Sequence, residues 1–259
     1  MKSFYQFGCP FKIYLLGFLL ALFNLAAAQK TIIISDSLTV HAEKLEVNMG
    51  GLWMGKIRKF SFGEYAIVSS KGMGNTSGSS KSNLFGTKTE STANRKFSFV
   101  LSNKTSDSAS VQAGSHQVMI QTLRKIALGN GWSVGNDELM ESNNFTTLIT
   151  ANRDTTDTWA LFMGTSQNGE ANLTNGKRMV MVKFASSNKK IEQTSALNSV
   201  GYEFIENGKS LCALQYFSPS LKSTNIVWIH KNLDPKMKLV LASAMTSVLL
   251  VSSPTSPIN

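Results

Sequence analysis

Gly201-Tyr202-Glu203-Phe204-Ile205-Glu206-Asn207-Gly208-Lys209-Ser210-Leu211-Cys212-Ala213-Leu214-Gln215-Tyr216-Phe217 is the stretch on which the fold turns. Asn-Gly readily takes the positive φ angles of a two-residue hairpin turn. Residues 201–206 and 209–217 therefore read as two antiparallel strands joined at Asn207-Gly208. The same pair recurs at Asn130-Gly131, Asn168-Gly169 and Asn175-Gly176. A second hairpin is expected from residues 144–152 and 156–164, around Arg153-Asp154-Thr155, with further strands at 177–184 and 224–231.

In residues 56–62, Phe60 and Phe62 alternate with Lys59 and Ser61, which puts both rings on one face of a strand. Arg58-Lys59-Phe60-Ser61-Phe62 returns letter for letter as Arg95-Lys96-Phe97-Ser98-Phe99. Two strands that each face one core with Phe, and carry solvated Lys beside it, account for the match; one five-residue identity does not make a repeat architecture. It places the two segments in related positions of a sheet. Residues 116–128 and 31–47 fit strand and helix patterns equally well.

Residues 69–94 hold seven Ser, four Gly, four Thr and three Asn. That composition predicts a long flexible loop with an apolar touchdown at Leu84-Phe85. At the other end, Asp234-Pro235 is a helix start, because Asp accepts free N–H groups and Pro has none to lose. Residues 239–251 follow without a charge, too few for a membrane span and long for a strand. They read as a helix buried against the sheet, although Lys236 and Lys238 in its first turn oppose the helix dipole. Residues 252–259, with two prolines, read as a frayed tail. The expected fold is mainly β: a single antiparallel β-sandwich or part-open barrel over residues 29–251, with the C-terminal helix packed on the sheet.

The first 28 residues read as a secretory signal peptide. Lys2 and Lys12 precede an uncharged stretch, residues 13–28, that ends in Ala26-Ala27-Ala28. Cleavage there removes Cys9 and leaves Cys212 as the one cysteine, so no internal disulfide is expected and no transmembrane span remains in the mature chain. The expected location is periplasmic, outer-membrane-associated or extracellular.

No metal or cofactor is expected. His41, His116 and His230 are scattered, and His41 with Glu43 supplies two ligands rather than a zinc site. Phosphate-loop, dinucleotide and His-Glu-x-x-His patterns are absent, and Gly74-Asn75-Thr76-Ser77-Gly78 has its serine one place late for a nucleophile elbow. Five carboxylates remain as dispersed acid–base candidates: Glu141, Asp154, Asp157, Glu203 and Glu206.

The chain carries a net charge of +10. Residues 55–104 contain nine Lys or Arg and two Glu, a net of +7. Arg58, Lys59, Arg95 and Lys96 are the candidate contacts of that basic segment for an anionic partner. Export makes anionic lipid or acidic polysaccharide the expected ligand, with no nucleic acid, since no nucleic-acid module is present. The leading expectation is an exported, non-enzymatic β-rich binding or envelope-accessory protein. A secreted hydrolase with catalytic residues dispersed over strand ends, and a structural subunit that packs on another envelope protein, are its rivals.

Overall fold

The structure is a computed structural model and describes residues 31–53, 56–72, 75–83, 86–127, 133–164, 171–188, 198–218 and 225–252. Residues 1–28, expected to be a signal peptide, Leu84-Phe85, Asn130-Gly131, Asn168-Gly169 and residues 253–259 lie outside the described residues. A short helix, α1 (Asp36–His41), leads into fifteen strands: β1 (Ala42–Glu46), β2 (Gly51–Trp53), β3 (Lys56–Arg58), β4 (Ser61–Phe62), β5 (Tyr65–Lys71), β6 (Asn75–Asn83), β7 (Gly86–Ser102), β8 (Ser108–Ala127), β9 (Ser133–Ala151), β10 (Thr158–Gly164), β11 (Ala171–Thr174), β12 (Met179–Ser186), β13 (Val200–Glu206), β14 (Lys209–Phe217) and β15 (Ile226–His230). A long helix, α2 (Pro235–Ser252), follows them.

Twelve of these strands form one nearly closed, barrel-like antiparallel sheet in the order β1-β15-β14-β13-β12-β11-β10-β9-β8-β7-β5-β4. β6 attaches to β7 off this path, and β2–β3 make a separate hairpin. The β13–β14 turn is the expected one: Asn207 and Gly208 have φ of 50° and 75°, and Glu206 pairs with Lys209. The β9–β10 hairpin turns at Asn152 and Arg153, both at positive φ. Residues 116–127 belong to strand β8, and residues 31–47 divide into α1 and β1.

Two expectations are corrected. Residues 69–94 are mostly strand: they complete β5, form β6 and start β7, with nine residue pairs between β6 and β7. Ser and Thr alternating with other residues can sit in a paired ladder as well as in a loop, and composition alone does not separate the two. Residues 56–62 are not one strand, because Lys59 at φ 59° breaks them into β3 and β4. Its twin, 95–99, lies wholly inside β7, with β5 between the two copies. Phe60, Phe62, Phe97 and Phe99 nevertheless share one buried core.

That core surrounds α2. Every residue from Leu239 to Leu250 is buried, more than three consecutive turns, so the helix is covered on all sides. It touches β8 and β9 on one arc of the sheet and β14 on another. The Asp234 carboxylate accepts the Met237 N–H at 2.8 Å and caps the first turn, with Pro235 directly after it. At the far end Arg95 Nη1 donates to the Val251 carbonyl at 3.2 Å, a cation at the negative pole of the helix.

A second, smaller core lies on the outer face of the sheet. Ile32 and Leu38 pack there with Ala213, Ile226 and Trp228. Gln215 Oε1 accepts the Ile32 N–H at 3.1 Å, and Glu203 Oε1 accepts the Ser35 N–H at 2.9 Å. This cover explains why β14 is buried on both faces from Ser210 to Gln215, instead of alternating.

Candidate functional site

The ring closes at the seam between β1 and β4, and it closes unevenly. Just past β1, Asn48 exchanges two backbone hydrogen bonds with Ser61, at 2.8 and 2.9 Å. Further along, Leu45 packs on Gly63, where a Cβ would come within 2.9 Å of its Cδ1. Beyond Leu45 the seam opens into a cleft of about 390 Å³. Leu45, Tyr65 and Ile229 form its apolar wall. Lys104, Lys231 and Lys238 converge on it from three elements, and Glu43 and Glu64 line it as well.

Local structure aims each lysine. Lys104 sits in the β7–β8 turn, which is held by Asn103 Oδ1 accepting the N–H groups of Thr105 and Asp107 at 3.1 and 2.9 Å. Lys231 follows β15, where its N–H donates to the His41 carbonyl at 3.0 Å. Lys238 lies in the first turn of α2. Among the described residues none of these three ammonium groups belongs to an ion pair. Burial, then the charge of Glu64, pushes the Tyr65 phenol up, so it stays a protonated donor at the cleft wall.

The four basic residues picked out in the sequence do not act as one surface. Arg95 and Lys96 are adjacent on β7, so they face opposite sides of the sheet. Arg95 joins Phe97 and Phe99 on the inner side and is spent on the end of α2. Lys96 is exposed on the outer side, as is Lys71 of β5, whose strand partner Ser98 shares that face with Lys96. Lys59 is exposed at the bend between β3 and β4, and Arg58 ends β3 opposite Gly51.

Four of the five candidate carboxylates are engaged in the scaffold. Lys236 Nζ bridges Asp154 and Asp157 at 2.9 and 2.8 Å, which offsets its unfavourable place in the first turn of α2. Hydrogen bonds from Thr156 and then Lys236 lower Asp154 to about 2, and Lys236 followed by Asn175 lowers Asp157. Arg178 grips Glu206 with two hydrogen bonds of 2.8 and 2.7 Å and lowers it too. Glu203 is buried and accepts from Ser210 Oγ at 2.6 Å as well as from Ser35. Glu141 lies on β9 in the run beyond its pairing with β10. Acid–base work at neutral pH needs one group raised toward 7, and Asp154, Asp157 and Glu206 all move the other way. Cys212 is fully buried, and burial pushes its thiol well up, away from nucleophilic use. His41 and His230 stand with ring centroids 5.7 Å apart, and the described residues contain no cluster of three metal-type ligands.

The Asp157–Lys236 contact gives a pH prediction. A carboxylate lowered in the fold contributes fully above its ordinary value near 4 and loses that contribution as pH falls through its folded-state value. Lys236→Met is therefore expected to melt below the unsubstituted protein at pH 7, with the gap narrowing toward pH 2. Thermal melts across that range check it; a gap that widens in acid would refute the assignment.

Lys231 and Lys238 were not legible as site residues, because only the β1–β15 pairing and the seam bring them beside Lys104. One signal was present: two lysines at a helix start run against the dipole. The structure explains Lys236 by its two partners and leaves Lys238 facing the cleft. Compared with known proteins, the chain matches no family model, no curated protein and no solved structure.

Proposed function

We propose that this protein is an exported, non-enzymatic binding or envelope-accessory protein that takes an anionic head group, of lipid or of acidic glycan, into the seam cleft. The observation that carries the reading is the convergence of Lys104, Lys231 and Lys238, none of them in an ion pair among the described residues, on one cleft with an apolar wall. Glu43 and Glu64 narrow the ligand class. They favour a group that offers hydroxyl or ammonium donors beside its phosphate or carboxylate, such as a glycerophosphate. The basic strands strengthen the attraction from a distance, since β5 and β7, with Lys71 and Lys96 exposed, lie next to the seam. α2 occupies the middle of the sheet, which favours a head group held at the seam over a whole acyl chain inside.

Co-sedimentation with vesicles of phosphatidylglycerol in phosphatidylcholine, against phosphatidylcholine alone, tests this, with polygalacturonate as the glycan arm. A lysine near an anionic surface contributes about 1 kcal/mol. Changing Lys104, Lys231 and Lys238 together to Gln is thus expected to weaken binding roughly a hundredfold. Changing Lys59, Lys71 and Lys96 to Gln is expected to cost less. Equal binding by the cleft variant, or a larger loss in the second variant, would overturn the cleft assignment.

A further inference from the structure

We propose that this chain assembles with further copies of itself through a projecting β-arm, the β6 edge of one copy pairing with residues 133–143 of β9 in the next. The proposal stands independently of the head-group reading.

The arm follows from where the other elements stop. β5 ends at Lys71, opposite Ser98, and β10 ends at Gly164, opposite Asn144. α2 reaches the level of Arg95. Among the described residues, only β6, β7, β8 and β9 run on past the row Asn75–Asn94–His116–Asn144, for eight further rows to Asn83–Gly86–Arg124–Asn136. At ~3.4 Å per residue that is an arm of ~27 Å. Its pairing runs without a bulge. Among the described residues, β6 pairs only β7, and residues 133–143 pair only β8. Among the described residues each edge is thus a ladder of backbone groups with no strand on its outer side, and neither contains the proline that would blunt it.

Three features select a second copy as the occupant. The first is direction. Four antiparallel strands place β6 and β9 in opposite senses, so a neighbour with its strands in the same sense, tilted so that its β5 clears β10, brings its β6 antiparallel to β9. The second is length, nine residues of β6 against eleven of β9. The third is charge. β6 carries Lys81 and no acid; residues 133–143 carry Asp137, Glu138 and Glu141 and no base. Lys81, Lys88, Thr122 and Glu138 occupy one row across the arm. Residues paired directly across strands share a face, so a neighbour at the same height sets its Lys81 opposite Glu138. The contact is head-to-tail and repeats, closing a ring or growing a filament according to the rotation between copies.

Sedimentation velocity of the purified full chain tests this over a concentration series. Concentration-dependent oligomers are expected, and Lys81→Glu or Glu138→Lys alone should weaken association roughly tenfold by placing like charges in opposition. The two together should restore it. A second measurement does not depend on affinity. Within one chain, positions 81 and 138 are three strand spacings apart, ~14 Å, beyond the reach of a disulfide. Mild oxidation of a chain carrying both Lys81→Cys and Glu138→Cys is expected to give a ladder of covalent multimers, where either change alone leaves no cysteine opposite another at the contact and gives no ladder. A monomer at every concentration, oligomers indifferent to both charge reversals, or a double-cysteine chain that gives no ladder would each overturn the proposal.

Discussion

Gly201→Ala is expected to destabilise the protein by about 3 kcal/mol or more, the upper range for inserting a methyl group into a tightly packed site. A Cβ at that position would collide with the carbonyl oxygen of Leu214 and crowd the Cα of Gln215. Both are backbone atoms of β14, so no side-chain rotation relieves the contact. The register between β13 and β14 shifts at this residue, and the close approach is how the two strands stay paired through the irregularity. Gly208→Ala is the natural control. Its φ of 75° disfavours alanine, yet a Cβ there meets nothing, so a cost of only about 1 kcal/mol is expected. Urea unfolding of both variants checks the contrast, and equal costs would contradict it.

Leu241→Ala is expected to cost 2–5 kcal/mol, taking about that range for a large-to-small change in a closed core. Leu241 is fully buried midway along α2, within the main core. Alanine keeps the helix propensity, so the loss reports packing rather than helix formation. If α2 merely rested on the sheet, one side would be wet and would collapse around the smaller residue. A cost below about 1 kcal/mol would indicate that arrangement. Denaturant titration at constant slope gives the number directly.

The β9–β10 and β13–β14 hairpins and the terminal helix were legible because each is written locally. Asn207-Gly208 sets its own hairpin, and Asp234-Pro235 sets its own helix start. The closure of the sheet was not, since the β1–β15 pairing joins the two ends of the folded chain, and neither it nor the Asn48–Ser61 bridge carries a local mark. The polar strand β6 was hidden for a different reason: Asn-Thr-Ser-Gly-Ser-Ser-Lys-Ser-Asn has the composition of a linker, and its pairing with β7 is what makes it a strand. Arg95 shows the limit of reading charge along a sequence. Its neighbour Lys96 meets solvent, while Arg95, one residue away, turns inward to the helix end.

The proposed seat of the anionic head group is the seam cleft. Amide hydrogen exchange, with and without phosphatidylglycerol vesicles, locates the contact without any substitution. Slower exchange is expected in residues 42–46, in the turn at 103–107 and in residues 231–238. Slowing confined to the outer face of β5 and β7, or no slowing at all at concentrations where the protein sediments with the vesicles, would contradict the claim.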